Sequence, residues 1–348
     1  MSAILVTGGA GYIGSHTCLK LLENGFDVFV IDSFVMSDPS TLEIIKKYFK
    51  KKFPDFINTL YYFQADIRDY SSINKVFSKA EKLDKAIKAV IHFAGLKSVN
   101  SSISNPLIYW DNNFSGTISL IKSMEKNNCR TLVFSSSATI YDPEGKELIK
   151  EDTRINPNNP YGKTKAAVES LLRDIYNSNP EMWRIANLRY FNPVGSHPSG
   201  VIGEENNKDL TNLFPNILEV AMGFKDKLSI YGNDWESKDG TCIRDYIHVM
   251  DLSEGHIKTL NYLILKQNKF INLNLGTGEG KSVLEVIETF EKVNKIKIPF
   301  IFEKRRRGDR AEVVANIEFS KNILNWQPTF KLSEMCRDSW NWANKNKK

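Results

Sequence analysis

Thr7-Gly-Gly-Ala-Gly-Tyr-Ile-Gly14 follows a short apolar run, Ala3–Thr7, and precedes an amphipathic stretch through Ile13, Thr17, Cys18, Leu21 and Leu22. Its glycines are spaced Gly8-x-x-Gly11-x-x-Gly14. A strand that turns through glycines directly into a helix presents free N–H groups and the positive end of the helix dipole to an anion. Glycine also lets the backbone approach a pyrophosphate. Gly25 supplies a stop for the helix. Asp32 closes a second apolar run, Asp27–Ile31, roughly 20 residues beyond the motif, which is where a dinucleotide-binding unit carries its acidic residue. A carboxylate there accepts from the adenosine ribose 2′-hydroxyl and repels a 2′-phosphate. The stretch therefore predicts a bound dinucleotide, NAD rather than NADP.

The pattern continues outward. Tyr61–Gln64, Ala89–Phe93, Thr131–Ser135 and Arg184–Leu188 read as further strands separated by segments of helix length. Such alternation predicts an α/β fold, a Rossmann doubly wound parallel sheet with helices on both faces. Asp66 follows the third strand, where an adenine contact and an ordinary loop role are both open. Past about residue 190 glycine, proline and asparagine become frequent, through Asn192-Pro-Val-Gly-Ser-His-Pro-Ser-Gly200. Residues 1–190 are thus expected to form the NAD-binding domain. Residues 191–348 are expected to form a smaller, discontinuous α/β domain, with segments near 245–275 rejoining the first. Tyr246–Val249 and Phe270–Leu273 are the strands expected to return to the first sheet. Ser37–Phe56, with its run Lys46-Lys-Tyr-Phe-Lys-Lys-Lys52, reads as a surface elaboration carrying a solvated helix.

Composition narrows the function classes. The chain has 348 residues, a net charge of +6 and 25% charged residues, ordinary for a globular enzyme. Part of the positive charge sits in Arg305-Arg-Arg307, but no nucleic-acid recognition motif accompanies it, so no such partner is expected. Four scattered cysteines without a Cys-x-x-Cys pair give neither a disulfide scaffold nor a zinc site. The five histidines are equally dispersed, and no metal is expected. With the first core strand beginning at Ala3 and no apolar run of about 18 residues, the expectation is a cytoplasmic protein without a membrane span.

A second constellation lies downstream. Asn159-Pro160 starts a helix by two rules, an Asn at the N-cap and a Pro at the first helical position. Tyr161 then sits in the first turn and Lys165 one turn later, on the same face. Ser137 ends the fifth strand. A free tyrosine titrates near ~10, so service as a base near pH 7 needs a shift of about 3 units, or ~4 kcal/mol. Lys165 and a positive nicotinamide ring are the expected sources. Tyr161, Lys165 and Ser137 are therefore the candidate catalytic residues for removing a hydroxyl proton while the carbon loses hydride.

Together these stretches resemble the extended short-chain dehydrogenase/reductase superfamily and, within it, the UDP-galactose 4-epimerase family. The resemblance rests on Val6–His16, Val90–Lys97, Asp111-Asn-Asn113, Ser135–Thr139, Tyr161–Lys165 and Leu188–Gly195. It continues through Tyr231–Asp234, Arg244–Leu252, Leu275–Gly278, Arg306–Asp309 and Leu324–Trp326, in order along essentially the whole chain. It implies cofactor contacts at Gly8, Gly11, Tyr12, Ile13, Gly14, Asp32, Asp66, Ile67, Phe93, Ala94, Gly95, Lys97, Asn112, Tyr161 and Lys165. It implies UDP-sugar contacts at Ser137, Asn192, Asn212, Leu213, Tyr231, Arg244, Arg306 and Asp309. Two guanidinium groups suit a diphosphate clamp. The activity implied is reversible inversion at carbon 4 of UDP-glucose and UDP-galactose, in galactose metabolism, through a 4-keto sugar. NAD is retained through the cycle. A homodimer is also implied, with the helices near Asn113–Glu125 and Tyr161–Tyr176 packing across a two-fold axis.

Three departures stand out. Ile140-Tyr141-Asp142 replaces the family's Val-Tyr-Gly, and Met36 stands where an Asn against the cofactor is usual. Val313 occupies the position that limits sugar size. A small residue there is expected to admit UDP-N-acetyl sugars as well, the plain alternative being a core valine with no selecting role. Two other functions remain in view. One is a nucleotide-sugar 4,6-dehydratase or decarboxylase, although Ser135–Thr139 lacks the acidic pair a dehydratase would need. The other is a non-catalytic NAD-sensing regulator on the same fold.

Overall fold

The computed structural model describes residues 2–143, 145, 147–205, 212–265, 269–306 and 308–346. They divide into two compact units. The first runs to Asp142 and resumes over Arg154–Arg189 and Ser253–Leu273; the second comprises Pro143–Thr153, Tyr190–Leu252 and the chain from Asn274.

In the first unit the strands are β1 (Ala3–Thr7), β2 (Asp27–Asp32), β3 (Leu60–Gln64), β4 (Ile87–His92), β5 (Thr131–Ser137) and β6 (Arg184–Tyr190). The helices are α1 (Tyr12–Glu23), α2 (Ser40–Lys52), α3 (Tyr70–Lys82), α4 (Val99–Ser104), α5 (Pro106–Tyr109), α6 (Gly116–Lys126) and α7 (Pro160–Ser178). Numbering continues along the chain. In the second unit fall β7 (Asn192–Val194), α8 (Leu213–Ala221), β8 (Leu228–Tyr231) and β9 (Ile243–His248). Then α9 (Val249–Leu265) and β10 (Lys269–Leu275) lead back through the first. The second ends with β11 (Gly280–Ser282), α10 (Val283–Asn294), β12 (Phe300–Glu303), β13 (Glu312–Val313), α11 (Glu318–Leu324) and α12 (Leu332–Lys345).

Seven strands make one sheet in the order β10-β6-β5-β4-β1-β2-β3. The ladders from β3 through β2, β1 and β4 to β5 are parallel. Every residue of β1 and β2 is buried, as expected of strands covered on both faces. Leu5 lies between Phe29 on β2 and Val90 on β4, and Phe77, Leu120, Phe134 and Leu172 join that core. Strand order reverses between β1 and β4, so the crevice at their C-terminal ends is the ligand position of a doubly wound sheet. The segment from Ser253 belongs here because Thr17 Oγ1 donates to Ser253 Oγ (3.3 Å) and Lys20 pairs with Glu254 (3.3 Å). The basic run is the outer face of α2, which buries Leu42, Ile45 and Phe49 and leaves Lys47, Lys50, Lys51 and Lys52 exposed.

In the second unit β9 runs between β11 and β13 and also pairs with β7, while β8 and β12 form a separate ribbon. This corrects one expectation. Tyr246–Val249 does not rejoin the first sheet, whereas Phe270–Leu273 does, as part of β10. Tyr246–Val249 is buried throughout and Phe270–Asn272 only in part, and which partner pairs with a strand is a tertiary choice. Phe214, Ile217, Ile230, Tyr246, Ile287, Phe290 and Met335 fill the second core. No helix of the described residues is long and apolar enough to cross a membrane.

Candidate active site

The glycine turn leaves little room. Gly8 has φ +71°, and a Cβ there would lie 2.7 Å from the Ala94 nitrogen. A Cβ on Gly14 would come within 2.2 Å of the Gly8 oxygen. Larger residues would therefore push the turn away from β4 and from α1. Gly11 is the N-cap of α1 and makes no side-chain cap, and a helix N-terminus of this kind suits an anion. Asp32 closes on this loop. Its Oδ2 accepts from the Ala10 nitrogen, and its Oδ1 accepts from the Phe34 nitrogen and the Ser37 hydroxyl, each at 3.0 Å. These are the features a pyrophosphate and a ribose require, and the residues fit NAD.

Other expected cofactor residues are placed less uniformly. The Phe93 and Ala94 nitrogens both donate to the Thr7 oxygen, at 3.0 and 3.1 Å, which seats them at the crevice. Gly95 lies beside Asn113 and Lys165, and Lys97 is exposed. The Ile67 side chain is buried against Gly116. Asp66 receives a two-pronged bond from Arg68 (3.0 and 2.7 Å), which holds its carboxyl below the usual range. Asn112 is half-buried in a π-helical turn, Trp110–Ser115. Its neighbour Asn113, which the sequence does not single out, is buried. It donates to the Leu96 oxygen and Thr164 Oγ1, both at 3.1 Å, and accepts from the Leu96 nitrogen at 2.8 Å. It thereby ties the Gly95 loop to α7. The π turn shifts the helical register, so helix periodicity could not tell which asparagine points inward.

The catalytic candidates converge on α7 and the end of β5. Asn159 caps α7 by accepting from the Gly162 nitrogen at 2.8 Å, with Pro160 at the first position. Lys165 is 4% exposed. Its Nζ donates to the Ser135 oxygen at 2.7 Å and lies 5.9 Å from the centre of the Tyr161 ring. Burial lowers the Lys165 ammonium to about 8, opposed by the Glu169 carboxylate, so the side chain is charged at neutral pH. Tyr161 moves against the sequence expectation. Burial pushes its phenol up to about 12, the hydrogen bond with the Ser137 side chain opposes that rise, and Tyr109 adds to it. Lys165 alone does not bring Tyr161 into the range of a base, because desolvating a phenolate outweighs one nearby ammonium. Asp142 has no positive φ, so this turn does not need the family's glycine.

His92, at the end of β4, is sandwiched between Thr7 Oγ1 (2.7 Å) and Thr117 Oγ1 (2.9 Å). Burial and then the Lys165 charge push it down to about 3. The unfolded chain therefore binds a proton that the native chain refuses between about pH 6.5 and 3. His92 thus removes stability as pH falls below about 6.5, at ~1.4 kcal/mol per unit. Chemical denaturation from pH 7 to 5 should show a slope one proton shallower in His92→Gln than in the native chain. Equal slopes would contradict the neutral assignment.

The expected UDP-sugar residues other than Ser137 all belong to the second unit. β9 organises most of them. Val313 on β13 is paired with Arg244, and Asn192 on β7 with Tyr246. Arg244 Nη2 lies 3.8 Å from the Asp309 carboxylate, while its Nη1 donates to the oxygens of Ile243 and Arg310. The Arg306 guanidinium stacks 3.7 Å from the Tyr231 ring centre. Asn212 and Leu213 open α8, but the Asn212 side chain does not cap it. Arg305 is exposed; its Nε donates to Asp234 at 2.6 Å and its guanidinium covers Trp235 at 4.0 Å. Arg307 lies outside the described residues.

Known proteins of similar sequence share this fold. The family model described as GDP-mannose 4,6 dehydratase matches residues 5–339. The chain belongs to that family. UDP-glucose 4-epimerase 2 of Arabidopsis thaliana is 46% identical over 344 residues, covering 99% of this chain and 95% of that protein. A UDP-glucose 4-epimerase from Stenotrophomonas maltophila, crystallised with NAD and formylated UDP-arabinopyranose, superposes with a TM-score of 0.93 at 40% identity, covering 99% and 98% of the two chains. The UDP-glucose 4-epimerase of Bifidobacterium longum, in complex with NAD+ and UDP, gives 0.90 at 39% identity, with 99% of both chains covered.

Proposed function

We propose that this chain is an NAD-dependent epimerase that interconverts UDP-glucose and UDP-galactose through a 4-keto sugar. The observation that carries the reading is the buried Lys165, bonded to the Ser135 oxygen and lying under Tyr161, on a sheet whose glycine turn suits a pyrophosphate. Similarity to the epimerases of Arabidopsis and Stenotrophomonas supports it. Bound NAD would accept hydride from carbon 4 and return it, and its positive ring would lower the Tyr161 phenol. The rest falls to the protein. Tyr161 takes the proton from the 4-hydroxyl and later gives it back. Ser137 holds that hydroxyl and hydrogen-bonds Tyr161. Lys165 keeps its charge below the phenolate.

Arg244 and Arg306 are assigned to the diphosphate, with Asn192, Asn212, Leu213, Tyr231 and Asp309 assigned to the remainder of the UDP group. Binding energy spent on UDP leaves the keto sugar free to turn, and hydride then returns to its other face. The fifteen cofactor positions named from the sequence are kept as the proposed NAD contacts.

A 4,6-dehydratase would need acid and base groups after Ser137. Ala138 and Thr139 stand there instead, and the Thr139 hydroxyl donates to Ser137 Oγ at 3.0 Å. A regulator without catalysis would have no use for a buried Tyr-Lys pair, which is costly to desolvate. Conversion of UDP-galactose by purified protein without added NAD tests both the activity and cofactor retention. Turnover only after NAD is supplied would remove the retention. No turnover by folded, NAD-loaded protein would remove the epimerase reading.

Three finer assignments go with this reading. Val313, paired with Arg244 on β9, is assigned as the small residue that admits an N-acetyl group. UDP-N-acetylgalactosamine should be turned over by the native chain, and Val313→Tyr should lose at least tenfold in kcat/KM for it while keeping UDP-galactose. Absence of native turnover would end that idea. A homodimer is supported by an exposed apolar strip on α4 and α5, where Ile103, Leu107 and Ile108 are 63, 81 and 56% exposed. Light scattering on the purified chain decides it. A cytoplasmic location agrees with four unpaired cysteines.

A further inference from the structure

Behind the Tyr-Lys pair lies a second buried charge cluster that takes no direct part in the proton transfer. Glu169 sits one turn after Lys165 on α7 and is 6% exposed. Its Oε1 accepts from the Ser136 hydroxyl at 2.5 Å and from Arg189 Nε at 3.0 Å. Its Oε2 accepts from Arg189 Nη2 at 2.6 Å. Arg189, on β6, is 1% exposed, and its Nη1 donates to the Tyr141 hydroxyl at 2.8 Å. All of these groups belong to the first unit.

Ser135, Ser136 and Ser137 are consecutive on β5, and each is tied differently. Lys165 holds the Ser135 oxygen, Glu169 holds the Ser136 hydroxyl, and Ser137 carries the bond to Tyr161. The two anchors on α7 are one turn apart and grip adjacent residues of the strand. This fixes the register of α7 against the end of β5, and with it the meeting of Ser137 and Tyr161. The charges add up as well. Lys165 and Arg189 contribute two positive charges and Glu169 one negative, leaving one net positive charge in the cluster, with Lys165 the member nearest the Tyr161 ring.

A buried ion pair is often no more stabilising than apolar residues of the same shape. Its presence at this place therefore points to a task other than stability. We propose that the Glu169–Arg189 pair positions the catalytic machinery, holding Ser137 in register with Tyr161 and keeping Lys165 protonated while Tyr161 is a phenolate. Glu169 opposes the fall in the Lys165 ammonium, in the sense the proposal requires. The other titratable groups around this centre are His92 on β4, which is driven neutral, and Tyr109 on α5, which disfavours the phenolate. Neither replaces the Glu169 charge.

The inference rests on the epimerase reading, so native turnover of UDP-galactose is measured first; its absence would refute that reading and not the positioning role. Glu169→Gln removes the anion but leaves Arg189 buried and unpaired, which endangers folding. The deciding variant is therefore Glu169→Gln with Arg189→Met, which removes both charges. Circular dichroism and bound NAD content establish that it is folded and loaded. Its kcat should fall at least tenfold at neutral pH with little change in KM, and its rate should recover toward alkaline pH. A readout independent of turnover is the phenolate absorbance on pH titration, taken as the difference from the same protein carrying Tyr161→Phe. Its midpoint should rise by about one unit, because the Ser137 hydrogen bond that lowers the phenol is lost when the strand slips out of register with α7. A folded, loaded double variant with native kcat, native pH profile and an unmoved phenolate midpoint would overturn the proposal.

Discussion

Tyr161→Phe is expected to lower turnover of UDP-galactose by about 10²–10⁴-fold, the range for loss of a positioned general base. The NAD content of the purified variant and its affinity for UDP should change little. The phenol hydroxyl is bonded to Ser137, and the turn that would hold the pyrophosphate is formed by Gly8, Gly11 and Gly14 elsewhere in the unit. Because burial pushes the free phenol up to about 12, the ionised form is scarce in the bare protein at neutral pH. The native rate should therefore rise with pH until the loaded site is fully ionised, and the variant should show no such limb. Near-native turnover by Tyr161→Phe would mean that another group takes the proton.

Lys165→Met should have two opposite effects. Activity should fall by about three orders of magnitude, since the phenolate loses its buried counter-charge. Stability of the NAD-free protein at pH 7 should rise. The native ammonium titrates near 8, below the ordinary lysine value of 10.5. The unfolded chain thus binds more protons between about pH 8 and 10.5, so native stability increases with pH across that window. Below pH 8 the full cost of burying the charge applies. A shift of this size corresponds to ~3 kcal/mol, reduced by the lost bond to the Ser135 oxygen. Thermal unfolding of both NAD-free proteins at pH 7 and 10 checks this. Methionine should raise the melting temperature by several degrees at pH 7, and the gap should narrow at pH 10. A variant less stable at pH 7, or a gap independent of pH, would show that Lys165 is not strained.

Much of the site is legible in the sequence, because its chemistry is carried by local rules. Gly8 and Gly14 admit no Cβ where they sit, and a glycine turn between a strand and a helix announces itself along the chain. Asn159, Pro160, Tyr161 and Lys165 are placed by helix capping and one helical turn, both local. Asn113 escapes such rules because a π turn moves the register by one residue. Glu169 and Arg189 escape them because their partnership spans 20 residues and two elements, and a Glu on a helix ordinarily faces water.

By itself, the sequence determined the alternation of strands and helices, the glycine turn, Asp32 at the end of β2 and the Tyr-Lys spacing, because each depends on residues within a few positions of one another. Tertiary structure alone decided that β9 organises its own sheet while β10 returns to the first, since burial marks a strand as covered without naming its cover. It also decided the direction of the Tyr161 shift. That balance between desolvation and charge depends on what surrounds the phenol in three dimensions, and no spacing along the chain encodes it.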